Sequence, residues 1–236
     1  MRSPIFDADH LPVRSQERYA LQNSRMVRVG LGPDILAAKG AMVGYTGQLQ
    51  FHSEKTGSMA KLAKKIVTSE NVSLMRVSGR GEIWFAREAG YNHLVHLEDE
   101  GLSINARNLL AFDATLQWDI NRAKGGGMLG GGLFNTTVGG RGTLVVTVVG
   151  KPVSLDCSQQ PVYVDAQAAV CWSATLSPGV TSSMNVGSML RGGSGEAVQM
   201  VFQGPGFVVV QSYEWSNPRS DNQGGGILGT ASDLFS

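Results

Sequence analysis

Hydrophobic and polar residues alternate with a period of two in several short stretches of the chain. Apolar side chains occupy every second position from Leu110 to Leu116 and again from Val170 to Leu176. Successive side chains of a strand point to opposite faces, so this alternation predicts strands with one buried face. Helical spacing of apolar residues is clearest in residues 58–70, where a short helix or helical turn is expected.

The alternating stretches belong to a pattern that occurs three times. Residues 102–116 (LSINARNLLAFDATL) align with residues 162–176 (VYVDAQAAVCWSATL), and residues 35–49 (ILAAKGAMVGYTGQL) are an earlier copy. Val43, Tyr45 and Leu49 of that first copy take the places of Leu110, Phe112 and Leu116. Each copy is therefore predicted to form a strand, a tight connection and a second strand.

A pair of glycines also recurs, each time ahead of a run of β-branched and aromatic residues. The pairs begin the stretches GRGEIWFA (79–86), GRGTLVVT (140–147) and GPGFVVVQ (204–211). Glycine ahead of a strand commonly supplies a positive φ or permits a close backbone approach. We therefore predict structural roles for six glycines: Gly79, Gly81, Gly140, Gly142, Gly204 and Gly206.

These patterns predict an all-β fold with very little helix. About three pseudo-repeats of roughly 60 residues would share one core, because a single such unit would leave a sheet face exposed. We expect antiparallel strands arranged as a β-sandwich-like barrel. The expected organisation is a peripheral segment (1–25), a single β domain (26–217) and a glycine-rich tail (218–236).

Composition and charge exclude several classes of function. The chain has 236 residues, 31 glycines and a formal net charge of +1, so it lacks the basic excess of a strong nucleic-acid-binding protein. The N-terminus has no apolar region typical of a secretion signal, and no apolar run approaches the roughly 20 residues of a membrane-spanning helix. A cytoplasmic protein with reduced thiols is expected.

The sequence contains no recognisable catalytic or metal motif. The glycine loops lack the phosphate-loop lysine and lead into strands instead of helices. In a strand, His93 and His96 would face opposite sides, and Cys157 and Cys171 show no metal-ligand spacing. We therefore expect no enzymatic activity, no cofactor and no metal. A metal-dependent barrel enzyme that used histidines such as His52 is the least favoured alternative.

Two glycine-rich segments are both apolar and conformationally free, GGGMLGGGLF (125–134) and GGGILG (224–229). Such segments could order against a neighbouring subunit, touch a membrane surface, or remain a mobile connection and tail. The candidate assembly surface comprises Met128, Leu129, Leu133, Phe134, Ile227 and Leu228.

Five stretches of the chain carry a resemblance to a known family. They are DILAAKGAMVGYTGQLQF, GLSINARNLLAFDATLQWDI, GGGMLGGGLFNTTVGGRGTLVVTVVG, VYVDAQAAVCW and GEAVQMVFQGPGFVVVQS. In order and spacing they resemble the altered inheritance of mitochondria protein 24 family, also called the mitochondrial biogenesis family, across roughly residues 26–213. Relatives often place an acidic residue in GGEGLF, where this chain has GGGLF (130–134).

The resemblance implies a fold like that of the tryptophan RNA-binding attenuation protein, a short form of double-stranded β-helix. It implies no established enzymatic activity, and it links the mitochondrial members to inner-membrane organisation. We therefore expect a non-catalytic scaffold that forms a homo-oligomer, has an unknown protein partner, or associates peripherally with a membrane. The alternative is a module that binds a small ligand or single-stranded RNA.

Overall fold

The structure is a computed structural model that describes residues 2–54, 73–122, 134–181 and 199–213. These residues are almost entirely β, with two single-turn 3-10 helices at Pro4–Phe6 and Ala8–His10. The expected near-absence of helix is confirmed for this part of the chain. The short helix expected at residues 58–70 lies outside the described residues.

The described residues form fifteen strands. They are β1 Tyr19–Asn23, β2 Met26–Leu31, β3 Ile35–Ala38, β4 Met42–Ser53, β5 Leu74–Phe85, β6 Tyr91–Asn105, β7 Leu109–Asp113, β8 Gln117–Arg122, β9 Phe134–Val148, β10 Val153–Asp156, β11 Val162–Asp165, β12 Ala169–Ser173, β13 Gly179–Thr181, β14 Gln199–Phe202 and β15 Phe207–Val210.

Twelve of the strands make one large antiparallel sheet, in the order β1-β2-β5-β3-β7-β9-β6-β12-β15-β10, with β4 added to β5 and β8 added to β9. The other three form a small sheet in the order β11-β14-β13. The all-β prediction is therefore confirmed, whereas the expected closed barrel is wrong. Strands β1 and β10 end the large sheet and do not pair with each other. Alternation along a strand predicts which side chains share a face, but it does not predict whether the sheet closes.

The long strands β5 and β9 organise the sheet. Along one edge of β5 lie β2 and β3, and β4 pairs with its other edge from Met42 to Ser53. Strand β9 pairs with β6 over nearly its whole length, and with β7 and β8 on the other side. One side of each long strand therefore pairs with two successive strands. The first partner gives way to the second near Gly79 in β5 and near Gly140 in β9.

Five of the six glycines in the predicted pairs have positive φ angles: Gly79 (113°), Gly81 (153°), Gly140 (108°), Gly204 (126°) and Gly206 (150°). Gly142 has no positive φ. A Cβ added there would instead lie 3.2 Å from Leu116 Cδ2 and 3.1 Å from Asp113 Oδ2. A larger residue at this position would therefore contact neighbouring side chains, whereas the other five glycines have a backbone conformation that favours glycine.

The interior divides into three apolar clusters. The first contains Val27, Ile35, Ile83 and Phe85, the second Leu102, Phe112, Leu144 and Val170, and the third Val164, Trp172, Phe202 and Val208. The third cluster draws Val164 and Phe202 from the small sheet and Trp172 and Val208 from the large one, so both sheets contribute to the core.

Burial within β7 departs from the expectation that one face would be exposed. All five of its residues, Leu109 to Asp113, are buried. The strand lies inside the sheet between β3 and β9, and side chains on both faces are covered. The alternation therefore predicted the position of the strand correctly but did not predict that both of its faces are buried. Burial of both faces is typical of a strand inside a covered sheet.

Candidate assembly surface

Strand β4 lies at an edge of the large sheet. It pairs with β5 along one side, and no strand pairs with its other side among the described residues. Val43 and Tyr45 are 55% and 48% exposed, and the Tyr45 ring contacts Phe51 edge-to-face with centroids 5.3 Å apart. This edge therefore presents apolar side chains beside unpaired backbone groups.

A second open edge belongs to β11. This strand pairs with β14 on one side and ends the three-stranded sheet. Val164 is buried in the third apolar cluster, while Tyr163 is 62% exposed. The described residues thus leave an aromatic side chain uncovered at each of two unpaired edges.

The assembly surface predicted from the glycine-rich segments cannot be compared directly with these edges. Met128, Leu129, Leu133, Ile227 and Leu228 lie outside the described residues, and Phe134 is the first residue of β9. The edges of β4 and β11 were not predicted from the sequence. The sequence carried no signal for the β4 edge, because Val43 and Tyr45 align with core positions of the later repeats and are nevertheless exposed.

A charged cluster joins the N-terminal segment to the middle of the sheet. Asp113 at the end of β7 accepts hydrogen bonds from Tyr19 Oη at 2.9 Å and from the Thr143 amide at 2.8 Å. Arg18 Nη1 lies 2.8 Å from the same carboxylate. Burial and then the Asp113 charge raise the pKa of Tyr19. Because the carboxylate is saturated by protein donors, the cluster is suited to holding the fold together.

A cleft of about 560 Å³ lies between residues 11–16 and the side chains of Arg28 and Glu82. Arg28 donates from Nε to Glu82 Oε1 at 2.9 Å and from Nη1 to the Glu17 carbonyl at 2.7 Å. Its Nη2 lies 2.7 Å from Glu82 Oε1. The guanidinium is therefore engaged by the protein, and it lines the cleft as a neutralised pair with Glu82.

The histidines do not assemble into a metal centre in the described residues, which contain no group of three potential ligands. His96 Nδ1 lies 3.0 Å from Thr143 Oγ1, whereas His10 Nδ1 lies 3.0 Å from the Pro4 carbonyl. The metal-enzyme alternative remains a prediction, and elemental analysis of the purified protein tests it. Among the described residues, no helix is long and apolar enough to cross a bilayer.

Both cysteines are buried free thiols in different apolar clusters. Burial raises the pKa of Cys171 to about 12, and burial together with the Asp156 charge raises the pKa of Cys157. Neither side chain is a thiolate near neutral pH, so neither has the form that acts as a nucleophile.

We therefore expect the folded chain to react negligibly with a thiol-specific disulfide reagent at pH 8. The same chain unfolded in guanidinium should expose two reactive thiols per molecule. A fast-reacting thiol in the folded chain would contradict the burial described above.

A family profile described as "Mitochondrial biogenesis AIM24" matches residues 19–213. An uncharacterised protein from Streptococcus pyogenes serotype M6 is 25% identical over 194 residues, which cover 77% of each chain. A crystal structure of a Streptococcus pyogenes protein superposes with a TM-score of 0.66 at 23% identity, covering 83% of this chain and 92% of that one. The solved structure shows likeness of fold, and the family match over most of the length identifies the chain as a member of the mitochondrial biogenesis AIM24 family.

Proposed function

We propose that this chain is a non-catalytic structural protein that associates with itself and serves as a scaffold. The observation that carries the proposal is the open edge of β4. An unpaired strand edge is a template for pairing with another chain, and proteins that stay monomeric commonly protect such edges with charges, prolines or bulges. From Met42 to Ser53, β4 has no lysine, arginine, aspartate, glutamate or proline. Its register irregularity lies at its beginning, between Met42 and Gly44, so none of these devices protects the edge from Tyr45 onward.

Several finer features belong to the same proposal. The chain would consist of three pseudo-repeats of about 60 residues, arranged as in the short double-stranded β-helix of the attenuation protein. Its scaffold role would concern membrane-associated complexes, as the family link implies, through peripheral contact or an unidentified protein partner. The recurring glycine pairs, five of whose six members have positive φ, support the repeat arrangement.

Self-association is tested by placing a charge on the β4 edge. Tyr45→Lys puts an ammonium group beside the unpaired backbone, and its desolvation opposes pairing with another strand. We expect this variant to sediment at the monomer mass of 25.1 kDa at concentrations where the wild type is larger. Its circular dichroism should remain that of a folded β protein, since the side chain is about half exposed.

The matched control is Val153→Lys. Val153 is 54% exposed and lies on β10, at the far end of the large sheet. This variant should keep the wild-type mass. A wild type that is monomeric at every concentration would overturn the proposal, as would a Tyr45→Lys variant that assembles normally.

A second candidate function is the binding of a small ligand in the cleft beside Arg28. Its volume of about 560 Å³ lies within the roughly 300–1,000 Å³ typical of small-molecule sites. Native mass spectrometry of the purified chain tests this candidate: a stoichiometric adduct that is lost on unfolding would support it, and the bare chain mass alone would count against it. Single-stranded RNA binding remains a further prediction. Measurement at low salt tests it, because backbone contacts weaken steeply as salt rises.

A further inference from the structure

Two junctions join neighbouring parts of the large sheet, and both have the same register. At the first, β3 meets β7 with the pairs Ile35–Asp113, Leu36–Phe112 and Ala37–Ala111. At the second, β6 meets β12 with the pairs Leu102–Ser173, Ser103–Trp172 and Ile104–Cys171. Both junctions are antiparallel and bring together strands from successive copies of the repeated sequence.

Adding the offsets of the sequence repeat to the residue numbers of the first junction gives the residue numbers of the second. Residue 35 aligns with residue 102 (102 − 35 = 67), and residue 102 aligns with residue 162 (162 − 102 = 60). Moving the β3 residue by 67 and the β7 residue by 60 reproduces all three pairs of the second junction. The agreement of two independent registers supports a common geometry for successive repeats.

One further hydrogen bond follows the same rule. The Ala114 amide donates to the Asp34 carbonyl at 3.2 Å, and the Ala174 amide donates to the Gly101 carbonyl at 3.1 Å. These residues are related by the same two offsets (34 + 67 = 101 and 114 + 60 = 174). The repeated geometry therefore extends to the backbone groups just beyond the paired strands.

The same rule applied once more pairs the last copy with the first. Residues of β11 would meet residues of β4 as Val162–Thr46, Tyr163–Tyr45 and Val164–Gly44, and the Gly47 amide would face the Pro161 carbonyl. Within one chain, β11 and β4 are not paired. Both edges that a third junction requires are therefore present, and neither is paired by another strand of the part of the chain that the structure describes.

The exposure of side chains at aligned positions indicates that the edges of β4 and β11 each lack a partner strand. Phe112 and Trp172, which occupy the first two junctions, are buried, whereas Tyr45 in the corresponding position is 48% exposed. On the opposite side of each junction, Leu36 and Ser103 are buried, whereas Tyr163 is 62% exposed. Among these six aligned positions, the two that lack a partner strand in the single chain are therefore the two that are exposed.

We propose that β11 of one copy pairs with β4 of a second copy in this register, so that copies join head to tail. The occupant of each open edge is the complementary edge of an identical chain, and the contact is heterologous because β4 meets β11 and not another β4. The inference rests on the proposed self-association and specifies its geometry. Strand addition supplies backbone hydrogen bonds, and the two tyrosines would be covered as their counterparts are within the chain.

The register is tested by disulfide trapping between two single variants, Tyr45→Cys and Tyr163→Cys. Directly opposed residues in an antiparallel pair have Cα atoms about 4.5–5.5 Å apart, within the range that a disulfide spans. After mild oxidation, an equimolar mixture should give a covalent dimer containing one chain of each variant. Neither variant should give a dimer alone. The wild type, with its two buried cysteines, sets the background.

A dimer formed by Tyr45→Cys alone would indicate a symmetrical β4–β4 contact and overturn the head-to-tail register. The spatial control is Val153→Cys, which is similarly exposed but lies on β10, and which should not trap with Tyr45→Cys. Thr46→Cys mixed with Val162→Cys probes the same register while keeping both tyrosines, and should also trap.

The outcomes separate this inference from the broader proposal. A wild type that is monomeric at every concentration overturns both. A wild type that assembles, with no trapping in either mixed pair, overturns the register and leaves self-association standing. Trapping in both mixed pairs, with none for the single variants or the β10 control, supports the head-to-tail contact.

Discussion

Gly79→Val is expected to destabilise the chain by more than about 3 kcal/mol and to leave much of it unfolded at 37 °C. Gly79 has a φ of 113°, a conformation that costs a non-glycine residue roughly 1–3 kcal/mol. A Cβ at this position would also overlap the carbonyl oxygen of Gln48 and approach Leu49 Cα to 3.2 Å. Both neighbours are backbone atoms of the paired strand β4, so they cannot move aside as a side chain could, and overpacking adds roughly 1–3 kcal/mol.

Two matched variants separate conformation from packing. At Gly142, which has no positive φ, the nearest neighbours of an added Cβ are the side chains of Asp113 and Leu116, so the loss for Gly142→Val should be smaller, about 1–2 kcal/mol. Gly32→Val has open space around it and should change the stability little. Urea unfolding monitored by circular dichroism measures all three, and a Gly79→Val variant as stable as Gly32→Val would contradict the structural role of the glycine pairs.

Asp113→Ala is expected to cost roughly 2–4 kcal/mol of folding stability. The substitution removes the acceptor for Tyr19 Oη and for the Thr143 amide, and leaves the Arg18 guanidinium without its carboxylate. Breaking a buried pair by removing one partner typically costs about 3–5 kcal/mol. We expect somewhat less here because the Arg18 side chain is 29% exposed and water partly compensates it.

The control for this prediction is Arg141→Ala. Arg141 pairs with Asp99, and both side chains are more than half exposed, so the loss should stay below about 1 kcal/mol. Tyr19→Phe removes a single hydrogen bond from the cluster and should fall between the two, at about 1–2 kcal/mol. Chemical unfolding of the three variants checks the order, and an Asp113→Ala variant no less stable than Arg141→Ala would show that the cluster does not tie the N-terminal segment to β7.

Much of the strand architecture could be predicted from local pattern, and closure of the sheet could not. Alternation over residues 110–116 and 170–176 located β7 and β12 because the period of side chains along a strand is a local property. A closed barrel requires the first and last strands to meet, which depends on the accumulated twist and register of every pair between them. The large sheet therefore ends at β1 and β10 with no local signal of where it stops.

The candidate surface was harder to predict than the fold. Tyr45 and Phe112 occupy matching positions in two aligned copies, yet one is exposed and the other fully buried. The sequence gives the side chain at each aligned position, whereas the exposure of that side chain depends on whether another strand lies beside it. Only the pairing of β3 with β7, set against the unpaired edge of β4, distinguishes the two positions.

Amide hydrogen exchange at Gly47 tests the central claim most directly. If β11 of a second copy covers β4, the Gly47 amide donates to the Pro161 carbonyl, as the Ala114 amide donates to Asp34 and the Ala174 amide to Gly101 within the chain. Residue-resolved exchange of the wild-type protein should therefore show protection at Gly47 comparable to that at Ala114 and Ala174, lost on dilution or in Tyr45→Lys. Exchange at Gly47 as fast as in an unstructured peptide, at the highest concentration and with both reference amides protected, would contradict the account.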